Sequence, residues 1–322
     1  MSIQNFFINR FLKSRLQESM KLSPEARFRR SRKFMAKDFS KVGPHIDVRA
    51  GRIAGVNVEW VAPKTVAADP DALVCLYLHG GGFVMGGPSS HRDMVAFLAE
   101  TAQIRMLMVD YRLAPEHPYP AALQDVRAVY HALWARGVPS RGLVMGGDSA
   151  GGNLTLAALQ SLRDEGLLPL PRGFFLFSPW LDLTQQGASM QSNASKDVML
   201  NRQFLEEVAA LYAAGMSPGD PGLSPLFGDL AGLPPCLQVV SQSEALLDDA
   251  RRLHQLLTSL GAQSTCLEWS HTPHAFPVMA RLLPEARNAL RQTADFIERV
   301  AGVRSLASDT AGPPDSASSA AY

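Results

Sequence analysis

Cysteine is scarce in this chain of 322 residues: Cys75, Cys236 and Cys266 are the only three, each inside an apolar, strand-like run. So few thiols exclude a disulfide framework and read as buried groups suited to a reducing compartment. No Cys/His cluster has metal-ligand spacing, and no Gly-x-Gly-x-x-Gly or phosphate loop occurs, so neither a metal nor any other cofactor is expected. Neither sign of charge dominates: 31 Lys and Arg stand against 30 Asp and Glu, a net charge of +1, which gives no support for a nucleic-acid partner. No apolar run is long enough to span a bilayer, so stable membrane insertion is not expected. The start, with Ile3 and Phe6-Phe7-Ile8, lacks the charged lead, continuous apolar core and cleavage signal of an exported chain, and the cytoplasm is the expected location. What is present is 46% hydrophobic residues, enough for one large α/β domain with an inserted or appended cap.

From about residue 46 to 180, strand-like runs (53–60, 73–78, 105–110, 142–146, 173–177) alternate with helix-like ones (91–101, 120–136, 149–165). This rhythm predicts a mostly parallel sheet with helices on both faces. Residues 185–228 interrupt it with polar, Pro- and Gly-rich sequence around one helix, and are expected to fold back as part of a cap before the sheet resumes. Residues 305–322 hold almost nothing to bury and are expected to be disordered. Residues 1–45 are helical in pattern and basic, with Phe6, Phe7, Phe11, Leu12 and Leu16 at spacings that suit one helical face. Such a segment could rest on an anionic membrane surface, or cap a site with a solvated basic face outside.

Chemistry enters at Gly147-Asp148-Ser149-Ala150-Gly151, between the apolar run Leu143-Val144-Met145 and a helical segment. A Ser with Gly two residues away on each side, at a strand-to-helix turn, is the nucleophile-elbow pattern. The flanking glycines let strand and helix approach, and the turn exposes the Ser149 hydroxyl at a sheet edge. Upstream, a β-prone run ends in Gly80-Gly81-Gly82. Three glycines in a row cost entropy and pack nothing; free backbone N–H groups aimed at an anion explain them, with the N–H of Ala150 as a further donor.

A Ser nucleophile needs a base, and the base an orienting acid, both C-terminal to the elbow in this kind of fold. His254 sits in a helical pattern; His271 and His274 share a loop after a strand-like run, and the residues alone leave the choice between these two even. For the acid, Glu244, Asp248 and Asp249 all follow the strand-like residues 235–240. Glu244 is favoured as the nearest to the strand's C-terminal end, whereas Asp248 and Asp249 read as first-turn carboxylates of the next helix.

The motifs Tyr77-Leu78-His79-Gly80-Gly81-Gly82-Phe83, Asp110-Tyr111-Arg112-Leu113-Ala114-Pro115-Glu116, Gly147-Asp148-Ser149-Ala150-Gly151-Gly152 and Ser178-Pro179-Trp180 occur in one order. Over roughly residues 40 to 300 the chain resembles the hormone-sensitive lipase family of α/β-hydrolases, in its bacterial carboxylesterase branch. The resemblance implies an α/β-hydrolase fold with a helical cap. It implies Ser149 as nucleophile, Gly81, Gly82 and Ala150 as oxyanion donors, and His274, in its His-x-Phe element, as base. The family's acid position, usually Asp, falls on Glu244. Residues 1–45 and 185–228 become the two parts of the cap and 46–304 the catalytic domain. Arg112 and Asp148 are read as bracing residues without a chemical step. The implied partner is a small ester with a short- to medium-chain acyl group, and a homodimer through the sheet edge or last helix is expected. Lactones, amides, carbamates or transfer to an alcohol would use the same groups, and loss of activity would leave a small-molecule receptor. Phe28, Phe34, Met35, Phe39, Phe204 and Tyr212 are assigned to the pocket wall.

Overall fold

The strand-like runs become one eight-stranded sheet in the computed structural model, which describes residues 2–69, 71–137, 142–166 and 169–302. The strands are β1 (Ile46–Ile53), β2 (Val56–Pro63), β3 (Val74–Leu78), β4 (Arg105–Asp110), β5 (Leu143–Asp148), β6 (Phe174–Phe177), β7 (Cys236–Ser241) and β8 (Ser264–Trp269). Between and around them lie α1 (Ile3–Met20), α2 (Pro24–Met35), α3 (Lys64–Ala67), α4 (Pro88–Ala102), α5 (Ala121–Ala135), α6 (Ala150–Glu165), α7 (Ser189–Ser192), α8 (Arg202–Ala213), α9 (Leu247–Ser259) and α10 (Pro284–Ala301). The spatial order is β1-β2-β4-β3-β5-β6-β7-β8. β2 pairs antiparallel with both β1 and β4, and β3 to β8 are parallel.

The central strands are apolar on both faces, as a sheet covered on both sides requires. Val74, Leu76, Leu78, Leu107, Met145 and Leu176 point into a layer with α5, α6, α8 and α9. Their neighbours Cys75, Tyr77, Met106, Val144, Phe175 and Val239 point into the opposite layer, with α4 and α10. Each Leu or Phe fully buried there contributes about 1.5–3 kcal/mol. Because β4 lies on one side of β3 and β5 on the other, the chain reverses direction across the sheet at β3. A crevice opens at such a reversal beyond the carboxyl ends of the strands. The Gly80–Gly82 loop leaves β3 there and Ser149 leaves β5.

Three sequence expectations change. A single strand was expected at 53–60; the chain instead forms a hairpin of β1 and β2, joined through Ala54 and Gly55, both at positive φ (48° and 83°). β1 sits at the sheet edge with its middle exposed, so it lacks the apolar alternation that would mark it. Cys75 and Cys236 are buried, but Cys266 in β8 is only half-buried. Finally, the apolar residues of α1 do not share one face. Leu12 and Leu16 turn toward the protein beside Asn5, Ile8 and Asn9, while Phe6, Phe7 and Phe11 are exposed. The tail expected to be disordered, 305–322, lies outside the described residues.

Candidate active site

The elbow between β5 and α6 is as tight as its composition demands. A Cβ on Gly151 would lie 2.0 Å from the Leu78 carbonyl oxygen, and one on Gly147 2.4 Å from that of Gly151. Ser149 itself is held at φ 51°, ψ −118°, a region that an L-residue occupies only under constraint. Its N–H donates to Phe177 O at 2.9 Å, and its carbonyl accepts from Trp180 N–H at 3.1 Å. The backbone is thus pinned to the end of β6, while the hydroxyl makes no hydrogen bond among the described residues.

Around Ser149, three backbone donors stand without partners among the described residues: the N–H groups of Gly81, Gly82 and Ala150. Ala150 is the first residue of α6, where no intrahelical acceptor exists. Gly81 and Gly82 have φ of 123° and 62°. A Cβ on Gly81 would lie 2.1 Å from Met85 O, and one on Gly82 2.7 Å from Val208 Cγ1 on α8, so only glycine fits both positions.

Asp148 braces that loop. Its buried carboxylate accepts from Tyr77 Oη at 2.8 Å and from Gly80 N–H at 2.9 Å, and lies 3.2 Å from His91 Nε2. Burial works to raise the Asp148 pKa, but the charge and hydrogen bond of His91 bring it below the ordinary value. His91 is raised in turn, Asp148 outweighing the burial that lowers it. His79 stacks on Tyr111, centroids 4.2 Å apart, and burial lowers its pKa to about 4, so it is neutral. Tyr111 Oη donates to His79 O at 2.6 Å, whereas Arg112, expected to brace the glycine loop, holds the Asp125 carboxylate of α5 at 2.8 Å.

His274 and Glu244 meet beyond the carboxyl ends of β8 and β7: His274 Nδ1 lies 2.5 Å from Glu244 Oε2, both side chains buried. The other Glu244 oxygen accepts Ser241 N–H at 2.9 Å, which fixes the carboxylate. Ser241 Oγ donates to Thr272 O at 2.5 Å, and Ala275 N–H to Ser178 Oγ at 3.0 Å. The loop bearing His274 is thereby tied to the ends of β7 and β6, the latter next to Ser149. Burial acts to lower the His274 pKa; the Glu244 hydrogen bond and charge, aided by Asp197 and Asp148, outweigh it and leave it raised.

The other candidates are elsewhere. Asp248 accepts Ser189 N–H at 2.8 Å, and Asp249 accepts the N–H groups of Leu181 and Asp182 at 2.7 and 3.0 Å. His254 bonds Ser264 Oγ from α9, and His271 is an exposed loop residue. Asp197 carries no motif that would reveal it. It is buried, accepts N–H bonds from Met199, Leu200 and Ala245 at 2.8, 2.8 and 2.7 Å, and so clamps the backbone next to Glu244. Of the residues assigned to the pocket wall, Phe34 and Phe39 are more than half exposed and pack on each other at 5.7 Å. Tyr212 stacks on Phe83 at 3.7 Å, and Phe28, Met35 and Phe204 pack at the core margin. A cleft of about 630 Å³ opens beside the pair, lined by Glu244, His274, Asp197 and, from α1, Phe6, Arg10 and Lys13; Ser149 is not among its lining residues. Among the described residues no group of three or more His, Cys, Asp or Glu could hold a metal ion, and no helix is long and apolar enough to cross a membrane.

This geometry has counterparts. The family model described as alpha/beta hydrolase fold matches residues 75–278. An acetyl-hydrolase of Streptomyces hygroscopicus is 40% identical over 246 residues, 76% of this chain and 81% of that one. An esterase of Acinetobacter venetianus is 35% identical over 254 residues, 79% and 82% of the two chains. The crystal structure of an esterase from the bacterial hormone-sensitive lipase family superposes with a TM-score of 0.85 at 35% identity, covering 94% of this chain and 99% of that one. The chain belongs to the α/β-hydrolase family, in its bacterial hormone-sensitive lipase branch.

Proposed function

We propose that this chain, an enzyme of the carboxylic ester hydrolase class, is a serine carboxylesterase that cleaves short- to medium-chain esters through an acyl-enzyme on Ser149. The observation that carries this reading is the buried contact between His274 Nδ1 and Glu244 Oε2 at 2.5 Å, on the same sheet edge as the strained Ser149. With Nδ1 bonded to a carboxylate, the imidazole presents Nε2 as its basic nitrogen.

Ser149 Oγ attacks the ester carbonyl as His274 Nε2 takes its proton. The N–H groups of Gly81, Gly82 and Ala150 receive the oxyanion, and Glu244 stabilises the imidazolium. Each such donor typically contributes about 3–4 kcal/mol to the barrier reduction. The imidazolium protonates the departing alkoxide; water, deprotonated by the same His274, then releases the acid and restores Ser149. The helical segments 1–45 and 185–228 act as the cap. They meet at Arg27 Nη1 and Glu207 Oε2, 2.7 Å apart, and Val208 of the second segment rests on Gly82.

The test is hydrolysis of p-nitrophenyl esters from acetate to laurate by the wild type and Ser149→Ala. The expected result is turnover highest on the shorter acyl chains and a fall of at least about 10⁴-fold in the variant. A folded wild type inactive on the whole series, or a variant that retains activity, refutes the reading.

A further inference from the structure

Helix α1 presents its side chains in an unexpected sense. The face against the protein carries Asn5 and Asn9, both of whose amide nitrogens donate to His271 O, at 3.1 and 2.7 Å. Ser2 adds two bonds to Glu285 of α10 at the start of the helix. These polar anchors fix the rotation of α1 and turn its aromatic residues outward: Ile3 is 76% exposed, Phe6 50%, Phe7 62% and Phe11 62%. An outward strip of this size is unusual on a surface helix, whose large apolar side chains ordinarily go inward.

The charge around the strip is equally one-sided. Ten of the 31 basic residues, but only three of the 30 acidic ones, lie in the first 40 positions, a local excess of seven in a chain of net charge +1. On α1, Arg10 and Lys13 are exposed and, like Lys21 at its end, make no ion pair among the described residues. The helix's one acid, Glu18, lies in its last turns and pairs with Arg15 and Arg30.

We propose that the outward face of α1 docks peripherally on an anionic lipid bilayer, with Ile3, Phe7 and Phe11 in the headgroup–acyl boundary and Arg10, Lys13 and Lys21 against lipid phosphates. Aromatic residues bordered by cations match the two components of interfacial binding, apolar burial and attraction to anionic lipid. Charge argues against a second copy of the chain as occupant: two such faces meeting across a twofold axis would bring like charges together. Docking there sets the cleft lined by Phe6, Arg10, Lys13, Glu244 and His274 beside the lipid surface. The proposal concerns binding alone and stands apart from the identity of the nucleophile.

Cosedimentation with vesicles of phosphatidylcholine, alone or with about 30 mol % phosphatidylglycerol, tests it in the full chain. Binding to the anionic vesicles is expected to exceed binding to neutral ones by about tenfold or more and to weaken in about 0.5 M salt. Phe7→Ser/Phe11→Ser lowers it by about tenfold, with kcat/KM on soluble p-nitrophenyl butyrate unchanged. Phe11→Glu alone is read in the same way should the double variant lose its fold. Absence of binding to either vesicle, or equal binding to both that neither variant alters, overturns the proposal. So does a dimer in sedimentation velocity that these variants dissociate, since the face is then a contact between copies.

Discussion

Glu244 occupies the position beside His274 with a side chain one methylene longer than Asp, and the fold accommodates it by binding its second oxygen to Ser241 N–H. The carboxylate is thus held by its own turn and addresses the imidazole with the remaining oxygen. In the proposed mechanism His274 acts as base only when neutral, so kcat/KM is expected to rise with pH, and because the pKa is raised its midpoint is expected above the usual value of about 6.5. Glu244→Gln removes the charge proposed to stabilise the imidazolium. The expected outcome is a fall of about 10²–10⁴-fold in kcat at neutral pH, with the acid limb moved to lower pH; a pH profile of kcat/KM checks both.

Asp249 shows how a whole element can be held by one buried carboxylate. From the first turn of α9 its Oδ2 accepts both Leu181 and Asp182 N–H, and burial raises its pKa to about 7. A carboxyl raised in the fold contributes stability that is fully present below its unfolded pKa of about 3.9 and is lost as pH rises to about 7. Asp249→Asn, with its amide oxygen in the place of Oδ2, keeps both bonds without the charge. Urea titrations are expected to show its stability relative to the wild type increasing from pH 4 to 7 and then levelling. The elbow, the glycine loop and the His274 loop were legible in the sequence because each is a local pattern at the end of an apolar run. Asp197 was not, since its role depends on N–H groups as far away as Ala245. The orientation of α1 was not either: periodicity indicates that a helix has faces, but hydrogen bonds from Asn5 and Asn9 to a loop some 260 residues later decide which face turns inward.

At the scale of the molecule, Arg27 joins the two segments proposed as the cap across the sequence. Its buried guanidinium donates to Ser19 O and Leu22 O, closing the turn between α1 and α2, and to Glu207 on α8. Arg27→Ala removes a charged donor from Glu207 and from both carbonyls, of which Ser19 O keeps Leu22 N–H and Glu207 keeps Gln203 Nε2, and a destabilisation of about 1–2 kcal/mol is expected. If the two segments act as the proposed cap, loosening this junction is expected to raise KM for longer acyl chains more than it lowers kcat for acetate. Thermal unfolding and kinetics on p-nitrophenyl acetate and octanoate measure the two effects. The sheet order also bears on how the chain matures during synthesis. From β5 to β8 each strand lies next to the one made before it, so each arriving strand finds an open edge waiting. Ser149 takes its place early in that sequence, and His274 follows the last strand. Under the proposed mechanism a nascent chain therefore carries Ser149 without its partner His274 until nearly all of the sheet is complete, and hydrolytic competence would arrive only with the last loop.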